Sequence, residues 1–135
     1  MTITPLYAGL MALWFLVLSF RVVGRRRGHK IHLGDGGDAQ MQRLIRGHAN
    51  FTEYVPLILL LMLILEIGGT TPFWALHAIG ITLVVARVLH GIAFSFTDHF
   101  FFGRFVGTLL TFLLVLVTGV LCLWRGVASA VLATS

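Results

Sequence analysis

Five polar side chains recur along residues 43–54 at spacings that place them on one side of a helix. They are Arg43, Arg46, Asn50, Glu53 and Tyr54, and at about 100° per residue they fall within an arc of about 100°. Guanidinium groups bind carboxylates through paired N–H donors, and a carboxylate accepts from an ammonium or a guanidinium. An asparagine offers both a donor and an acceptor. This polar stripe could therefore hold a small zwitterion that carries additional carboxylates.

The polar stripe leads directly into the apolar run 57–65, so its charges must be reconciled with a membrane. Ionisable residues in a membrane span usually face the bundle interior, because exposure to lipid is costly. One interpretation is that Arg46 and Glu53 pair with each other, or with a neighbouring helix, and only hold the bundle together. The other interpretation is a ligand site at the end of the helix. The spacing alone does not decide between them.

A second group of chemically capable residues lies at 87–94, inside apolar sequence. Arg87, His90 and Phe94 are spaced i, i+3 and i+7, which places them on one helical face. Arg87 needs a partner, and Glu53 is the acid that matches it best in depth. A buried structural ion pair is favoured over a ligand role for Arg87. His90 could transfer a proton, contact a ligand or pack with a hydrogen bond, of which packing is favoured.

Arg104 opens the last apolar stretch, at its boundary with the preceding loop. It is either an anchor that snorkels to the membrane surface or a cation directed at an anion in the headgroup region. Gly103, Gly107 and Thr111 follow at intervals of four residues. Small residues at that spacing permit close contact between membrane helices.

The composition indicates an integral membrane protein. Of the 135 residues, 58% are hydrophobic and 11% are charged, and the mean hydropathy is +0.95, which leaves too little polar surface for a soluble domain. The net charge of +5 does not indicate nucleic-acid binding, because the basic residues flank apolar segments. The single cysteine, Cys122, excludes an intramolecular disulfide. His29 and His32 lack a nearby cluster of acids, so no metal site is predicted.

Four stretches are long and apolar enough to cross a bilayer, which requires roughly 20 residues each. The sequence predicts spans at about 3–23, 44–67, 73–96 and 105–124, and the second has a polar entry that begins near Ala39. No stretch alternates as a strand does, and closed barrels are the only other architecture that satisfies backbone groups in lipid. The predicted fold is therefore all-α: one domain, residues 1–135, that forms a four-helix membrane bundle.

The basic residues also predict the orientation of the bundle. They are concentrated in the first loop, between the first two spans, so that loop is expected in the cytoplasm. Both termini are then expected on the other side, the periplasm of a bacterial cell. No basic residues precede the first apolar stretch, so it is expected to be a retained helix and not a cleaved signal.

Residues 46–56, RGHANFTEYVP, resemble the signature of the MAPEG family, the membrane-associated proteins of eicosanoid and glutathione metabolism. In that family an arginine is followed by an asparagine four positions on and a glutamate three further. The resemblance extends over nearly the whole chain, including ARVLH at 86–90 and GRFVGT at 103–108, and the short loops look like those of bacterial members. It implies a homotrimer in the lipid bilayer, with glutathione bound between subunits near the cytoplasmic face.

The resemblance implies roles for individual residues in glutathione binding. Arg46, Asn50 and Glu53 match the motif of the second helix, where the arginines of family enzymes hold the glutathione carboxylates and the other two residues hold its γ-glutamyl end. Further positions match with less detail: they are Arg43, Tyr54, Arg87, His90 and, from the first helix or loop, either Arg26 or Arg21.

The resemblance also implies a catalytic residue. Arg104 matches the arginine that activates the thiol in family enzymes, and a guanidinium beside the sulfur favours the thiolate, which is the nucleophile. Lowering a thiol pKa by about two units requires about 2.7 kcal/mol of differential stabilisation. Phe94 departs from the family, since several of its enzymes carry a glutathione-contacting tyrosine at that position.

The expected activity is conjugation or peroxide reduction with glutathione, acting on hydrophobic small molecules that arrive from the bilayer. A non-catalytic lipid- or glutathione-binding protein of the same fold is the first alternative, because the family includes such a member. A small four-helix multidrug exporter is the second alternative. It is disfavoured, because those exporters carry their key glutamate in the first helix, which here contains no acid.

Overall fold

The computed structural model describes residues 3–97 and 99–134, which form four helices and, within these residues, no strand. The helices are α1 (Thr4–His29), α2 (Ala39–Ile67), α3 (Phe73–Ser95) and α4 (Phe101–Thr134). Each of the four is long and apolar enough to cross a membrane. The predicted all-α class with four membrane-length helices is confirmed.

The two central helices of the bundle are α2 and α3. They contact each other and both outer helices, whereas α1 and α4 do not contact one another in the part of the chain described. Short connections make successive helices antiparallel. The loops 30–38 and 96–100 therefore lie at one end of the bundle, which we call the first-loop end. The loop 68–72 and the start of α1 lie at the opposite end.

Two helices run well beyond the apolar stretches of the sequence. The helix α1 continues through the basic run to His29 and ends at Lys30, whose left-handed backbone (φ 53°) lets its N–H donate to the carbonyls of Arg26 and Arg27. The helix α4 begins at Phe101 and reaches Thr134. The physical reason is that apolar length determines what lies in lipid, while backbone hydrogen bonds can continue the same helix into water.

Asp38 ties the first loop to the start of α2. Its Oδ1 accepts from the backbone N–H of Met41 at 2.8 Å, as an N-cap does, and its Oδ2 accepts from Arg25 Nε at 3.1 Å and Nη2 at 2.6 Å. The backbone N–H of Met41 and then the guanidinium of Arg25 hold the pKa of this carboxyl below its ordinary 3.8. One carboxylate thus links the end of α1 to the first turn of α2.

This link is expected to weaken in acid. Because the folded pKa of Asp38 is depressed, its contribution is present above the unfolded pKa of 3.8 and is lost as pH falls through the lower folded value. Hydrogen exchange at the Met41 amide, corrected for the intrinsic rate, should show protection that declines below pH 3.8. Asp38→Asn can still cap the helix but carries no charge, so its protection should be independent of pH over the same range. A pH-dependent loss of protection in the variant would contradict this role.

Glycines permit the closest helix contacts in the core. A Cβ on Gly107 of α4 would lie 2.8 Å from the carbonyl oxygen of Ala86 and 2.9 Å from Cβ of His90, both in α3. A Cβ on Gly47 of α2 would lie 2.7 Å from Cβ of Phe94. The predicted small-residue stripe of α4 therefore faces α3, where Gly107 allows the two backbones to touch.

Gly107→Ala should destabilise the bundle by about 1–3 kcal/mol, the usual cost of forcing extra atoms into a packed interior. The matched control is Gly119→Ala in the same helix, where an added Cβ would meet nothing within 4 Å. The measurement is unfolding in mixed micelles by increasing detergent denaturant. Equal stability of the two variants would show that α3 and α4 can separate freely at Gly107.

Candidate functional site

The polar stripe of α2 lies beside the side of the helix that is buried in the core. Arg46 and Glu53 face outward from the single chain, with side chains 62% and 45% exposed. Arg43, Asn50 and Tyr54 are half-buried between α2 and its neighbours. The core side is taken instead by a separate set of residues: Met41, Leu44, Gly47, Phe51, Val55, Ile58, Met62 and Leu65. The expectation that the whole stripe faces the interior is wrong for Arg46 and Glu53 within one chain.

Arg46 and Glu53 form an ion pair, with Nη1 and Oε1 3.3 Å apart. The pairing that one interpretation of the sequence expected is therefore present. Because both side chains are largely exposed, the pair contributes little to stability, of the order of 0–1 kcal/mol for such pairs in water. Both residues belong to α2, so the pair does not join two helices of the chain.

Arg87 joins three helices in the interior. It is 1% exposed and donates from Nη1 to Oδ1 of Asn50 in α2 at 2.9 Å. From Nη2 it donates to the carbonyl of Gly107 at 3.3 Å and to the hydroxyl of Thr111, both in α4. The expected partner Glu53 lies one turn farther along α2 and pairs with Arg46 instead. Among the described residues, Arg87 is thus held by neutral acceptors and not by an acid.

This contact determines how Asn50 is presented. Arginine has only donors, so the amide oxygen of Asn50 must face Arg87. The NH₂ group of Asn50 is then the part of the amide left for other partners. In this arrangement Asn50 recognises an acceptor, such as a carboxylate or carbonyl oxygen.

His90 and Arg104 both contact the ring of Phe94. The ring of His90 is 4% exposed and stacks on that of Phe94, with centroids 4.6 Å apart and an interplanar angle of 23°. The guanidinium carbon of Arg104, an exposed residue, lies 5.1 Å from the centroid of the Phe94 ring. Cations are attracted to aromatic faces, so this contact orients Arg104. The packing interpretation of His90 agrees with this geometry.

The carbonyl groups at the end of α3 are bound by two arginines from other helices. Arg43 of α2 donates to the carbonyl of Ala93 at 3.3 Å and to that of Thr97. Arg21 of α1 donates to the carbonyl of Ser95 from Nε at 3.1 Å and from Nη2 at 2.5 Å. Cations at a helix C-terminus satisfy unpaired carbonyls and oppose the negative end of the helix dipole.

A small cavity opens beside this C-terminal end. It has a volume of about 190 Å³ and lies at the first-loop end of the bundle. Its lining brings together two of the arginines that the sequence singled out, and consists of Arg43, Ala93, Phe94, Phe100, Phe101 and Arg104. The cavity is therefore cationic and aromatic.

The structure separates the two arginines that were alternatives in the first helix. Arg21 packs against the end of α3, where its guanidinium carbon lies 4.6 Å from the Phe96 ring centroid. Arg26 donates to the carbonyl of Gly34 in the first loop at 3.1 Å, and the cavity beside it is lined only by residues 26, 27 and 30–32. Within one chain, Arg26 is not brought to the other candidate residues.

Two contacts were not expected from the sequence. Thr111 was assigned only to a packing stripe, yet its hydroxyl is a partner of Arg87. Glu66 lies at the opposite end and accepts from the backbone N–H groups of Ile3 at 3.0 Å and Thr4 at 2.8 Å. The signal for this second contact is the start of α1, which has no side-chain cap of its own. The N–H groups of a first helical turn need an acceptor, and an acid from another helix can supply it.

The charges of the site converge on one region. Arg46, Arg87 and Arg104 all lie close enough to the ring of His90 for their charges to act on it. With Glu53 beside Arg46 and the amide of Asn50 beside Arg87, the first-loop end offers several guanidiniums, one carboxylate and one amide donor. This set suits a molecule that carries several carboxylates and a single ammonium.

Comparisons with known proteins agree with the sequence motif. The model of the MAPEG family matches residues 4–124. The chain is 35% identical over 122 residues to the inner membrane protein YecN of Escherichia coli strain K12, which covers 90% of this chain and 91% of that protein. The YecN of strain O6:H1 (CFT073) matches with the same identity and coverage. With most of its length matched by the family model, the chain belongs to the MAPEG family.

Proposed function

We propose that this protein is a glutathione-dependent transferase or peroxidase that acts on lipophilic electrophiles in the membrane. The observation that carries the proposal is the set of charged groups on and beside α2, where Arg46 pairs with Glu53 and Arg43 lines one cavity with Arg104, in a MAPEG chain. Glutathione has two carboxylates, one ammonium and one thiol. Guanidiniums match the carboxylates, and Glu53 matches the ammonium.

The fit is supported by how the residues are held. The ion pair between Arg46 and Glu53 lies on the outer face of the single chain, where both charges can reach a ligand held between subunits. The amide of Asn50 is fixed by Arg87 with its NH₂ group available, so it suits a ligand carbonyl or carboxylate. Arg104 is exposed, and its guanidinium lies over the ring of Phe94, a neutral partner.

The position of the ion pair supports a homotrimer. Arg46 and Glu53 belong to a membrane-length helix, yet they lie on the outside of the single chain. Charged groups exposed to lipid are costly, and a neighbouring subunit that covers this face would remove that cost. The glutathione site is then completed between subunits, as the family resemblance implies.

The chemistry assigned to Arg104 is stabilisation of the glutathione thiolate. In conjugation, the sulfur forms a bond to an electrophilic carbon, and the leaving group departs with the bonding electron pair. In peroxide reduction, two glutathione molecules become one disulfide, while the hydroperoxide becomes an alcohol and water. Holding the thiolate beside an electrophile also makes the encounter effectively unimolecular. Tyr54, whose ring lies 5.7 Å from that of Phe112, belongs to the wall by which an electrophile would approach from lipid.

The location follows from the charge pattern and from a relative. The basic first loop is proposed to be cytoplasmic, which places glutathione binding on the side where glutathione is present and both termini in the periplasm. YecN is named an inner membrane protein, and we propose the same membrane for this chain.

Glu53→Gln should weaken glutathione binding about tenfold, because a charged hydrogen bond to the ammonium is replaced by a neutral one. Isothermal calorimetry in detergent measures the affinity. The control is Asp35→Asn, which removes one negative charge from the exposed first loop and should leave the affinity unchanged. Size-exclusion chromatography with light scattering reports the oligomer in parallel. Unchanged affinity combined with a lost trimer would show that Glu53 is structural and would refute its role as ligand.

One observation supports a second candidate function, which is binding without catalysis. Phe94 lacks a hydroxyl, and its ring already contacts both His90 and Arg104. These contacts of Phe94 also fit a protein that binds glutathione or lipid without catalysing a reaction. Glutathione binding without conjugation or peroxide reduction across several electrophiles would select this candidate over the enzyme.

A further inference from the structure

A large cavity lies at the opposite end of the bundle, away from the site above. It is a groove of about 620 Å³ between α4, the end of α2 and the start of α3. This volume is within the range of about 300–1,000 Å³ that is typical of ligand sites. Its lining is mostly apolar, with a polar rim, and includes Leu65, Thr71, Trp74, Trp124, Arg125 and Ser129. We call it the far groove.

Arg125 gives the far groove a positive charge, while Glu66, an acid at this end of the bundle, does not line the groove and accepts from the backbone of Ile3 and Thr4. Its Nη1 donates to the carbonyl of Leu65 at 3.0 Å and its Nη2 to that of Gly68 at 2.6 Å. These partners are neutral, and no ion pair joins Arg125 to an acid of the described chain. It is also the only lysine or arginine of the described residues at this end, since the others occur at 21–46, 87 and 104. The groove therefore favours an anion.

The walls of the far groove combine apolar and polar surface in the order found across a membrane interface. Trp74 and Trp124 are 71% and 72% exposed, and tryptophan is enriched where headgroups meet acyl chains. Thr71 and Ser129 add hydroxyl groups beside Arg125. Hydroxyls and a guanidinium suit a phosphate, while the apolar wall suits a hydrocarbon chain.

We propose that the far groove binds an anionic phospholipid, with the phosphate at Arg125 and an acyl chain between Trp74 and Trp124. The site is independent of glutathione binding, since it lies at the other end of the helices. Its depth suits a lipid, because the groove begins where α2 ends at the membrane surface and continues beside the apolar part of α4. A bound lipid would hold the last third of α4 to the hairpin between α2 and α3.

The test is tryptophan quenching by brominated lipids in phosphatidylcholine vesicles. Bromine on the acyl chain quenches tryptophan at contact, so Trp74 and Trp124 report occupation of the groove. Dibromo-phosphatidylglycerol should reach half-maximal quenching at about fivefold lower mole fraction than dibromo-phosphatidylcholine, the preference expected of one arginine near a surface. Unbrominated phosphatidylglycerol should restore the fluorescence. Equal quenching by both lipids in the unmodified protein would overturn the proposal without any variant.

Two sets of variants locate the effect. Arg125→Gln should abolish the preference, Arg125→Lys should retain it, and Arg27→Gln, which removes an exposed cation at the first-loop end, should leave it unchanged. In the double variant Trp74→Phe/Trp124→Phe, Trp14 is the one tryptophan left. Brominated phosphatidylglycerol should then quench the fluorescence no more strongly than brominated phosphatidylcholine. A preference that survives in Arg125→Gln, or in the double tryptophan variant, would assign lipid binding to the basic first loop instead.

Discussion

Replacing Arg104 with alanine is expected to lower the thiolate fraction of bound glutathione at pH 7 about 25-fold, because a pKa depression of about two units from an ordinary thiol value of about 8.5 is lost. Turnover of a lipophilic electrophile should fall by a similar factor, since the thiolate and not the thiol is the nucleophile. The thiolate is measured by its ultraviolet absorbance during a pH titration of the protein–glutathione complex. Conjugation with a chromogenic electrophile is measured on the same preparation.

Two variants control this result. Arg104→Lys keeps a cation but loses the planar contact with the Phe94 ring, so it should restore part of the thiolate signal. Arg27→Ala removes an exposed cation that lines a different cavity and should change neither measurement. If Arg104→Ala retains both the thiolate and the turnover, another residue activates the thiol, and the role assigned to Arg104 is wrong.

Thr111→Val is expected to lower the free energy of unfolding by about 1.5–3 kcal/mol, the value of a hydrogen bond to a charged group. Valine has nearly the shape of threonine, so the change removes the hydroxyl that accepts from Arg87 without opening a cavity. Arg87 is 1% exposed and already has a buried Nε without a partner, so a further loss leaves a poorly satisfied charge in the interior. Unfolding by detergent denaturant in mixed micelles gives the free energy.

The same helix supplies a matched control for Thr111. Thr118 is equally buried, and both hydroxyls donate at 2.6 Å to the carbonyl four residues earlier. Only Thr111 also contacts Arg87. The difference between Thr111→Val and Thr118→Val therefore isolates the bond to the guanidinium. Equal destabilisation by the two changes would show that this bond contributes nothing.

The helices could be predicted from apolar length, while the contacts between them could not. Asn50 and Glu53 are one turn apart on α2, and the sequence offers both as partners for Arg87. Which of them meets α3 depends on the rotation of α2 about its axis. That rotation follows from close packing, in which Gly47 lies against Phe94. The angular positions of residues around α2 do not determine this rotation.

The sequence identified candidate residues for the site, but it did not predict which way their side chains face. The angles placed Arg46 and Glu53 on one side of α2, yet whether that side faces the core depends on the competing apolar stripe. Similarly, Arg21 and Arg26 are both basic residues of α1, and only the packing of α1 on α3 shows that Arg21 reaches Ser95. These distinctions arise from tertiary packing, so a single sequence leaves them open.

The last turn of α3 connects regions of the chain that are distant in sequence. Arg21 from α1 and Arg43 from α2 both end on its carbonyl groups, and Phe94 in the same turn lies under Arg104. Arg21 therefore ties α1 to a helix end that forms one wall of the cavity beside Arg104, although α1 lines no part of that cavity. A membrane whose thickness or tension changes the tilt of α1 would act on this helix end through Arg21, without a second ligand.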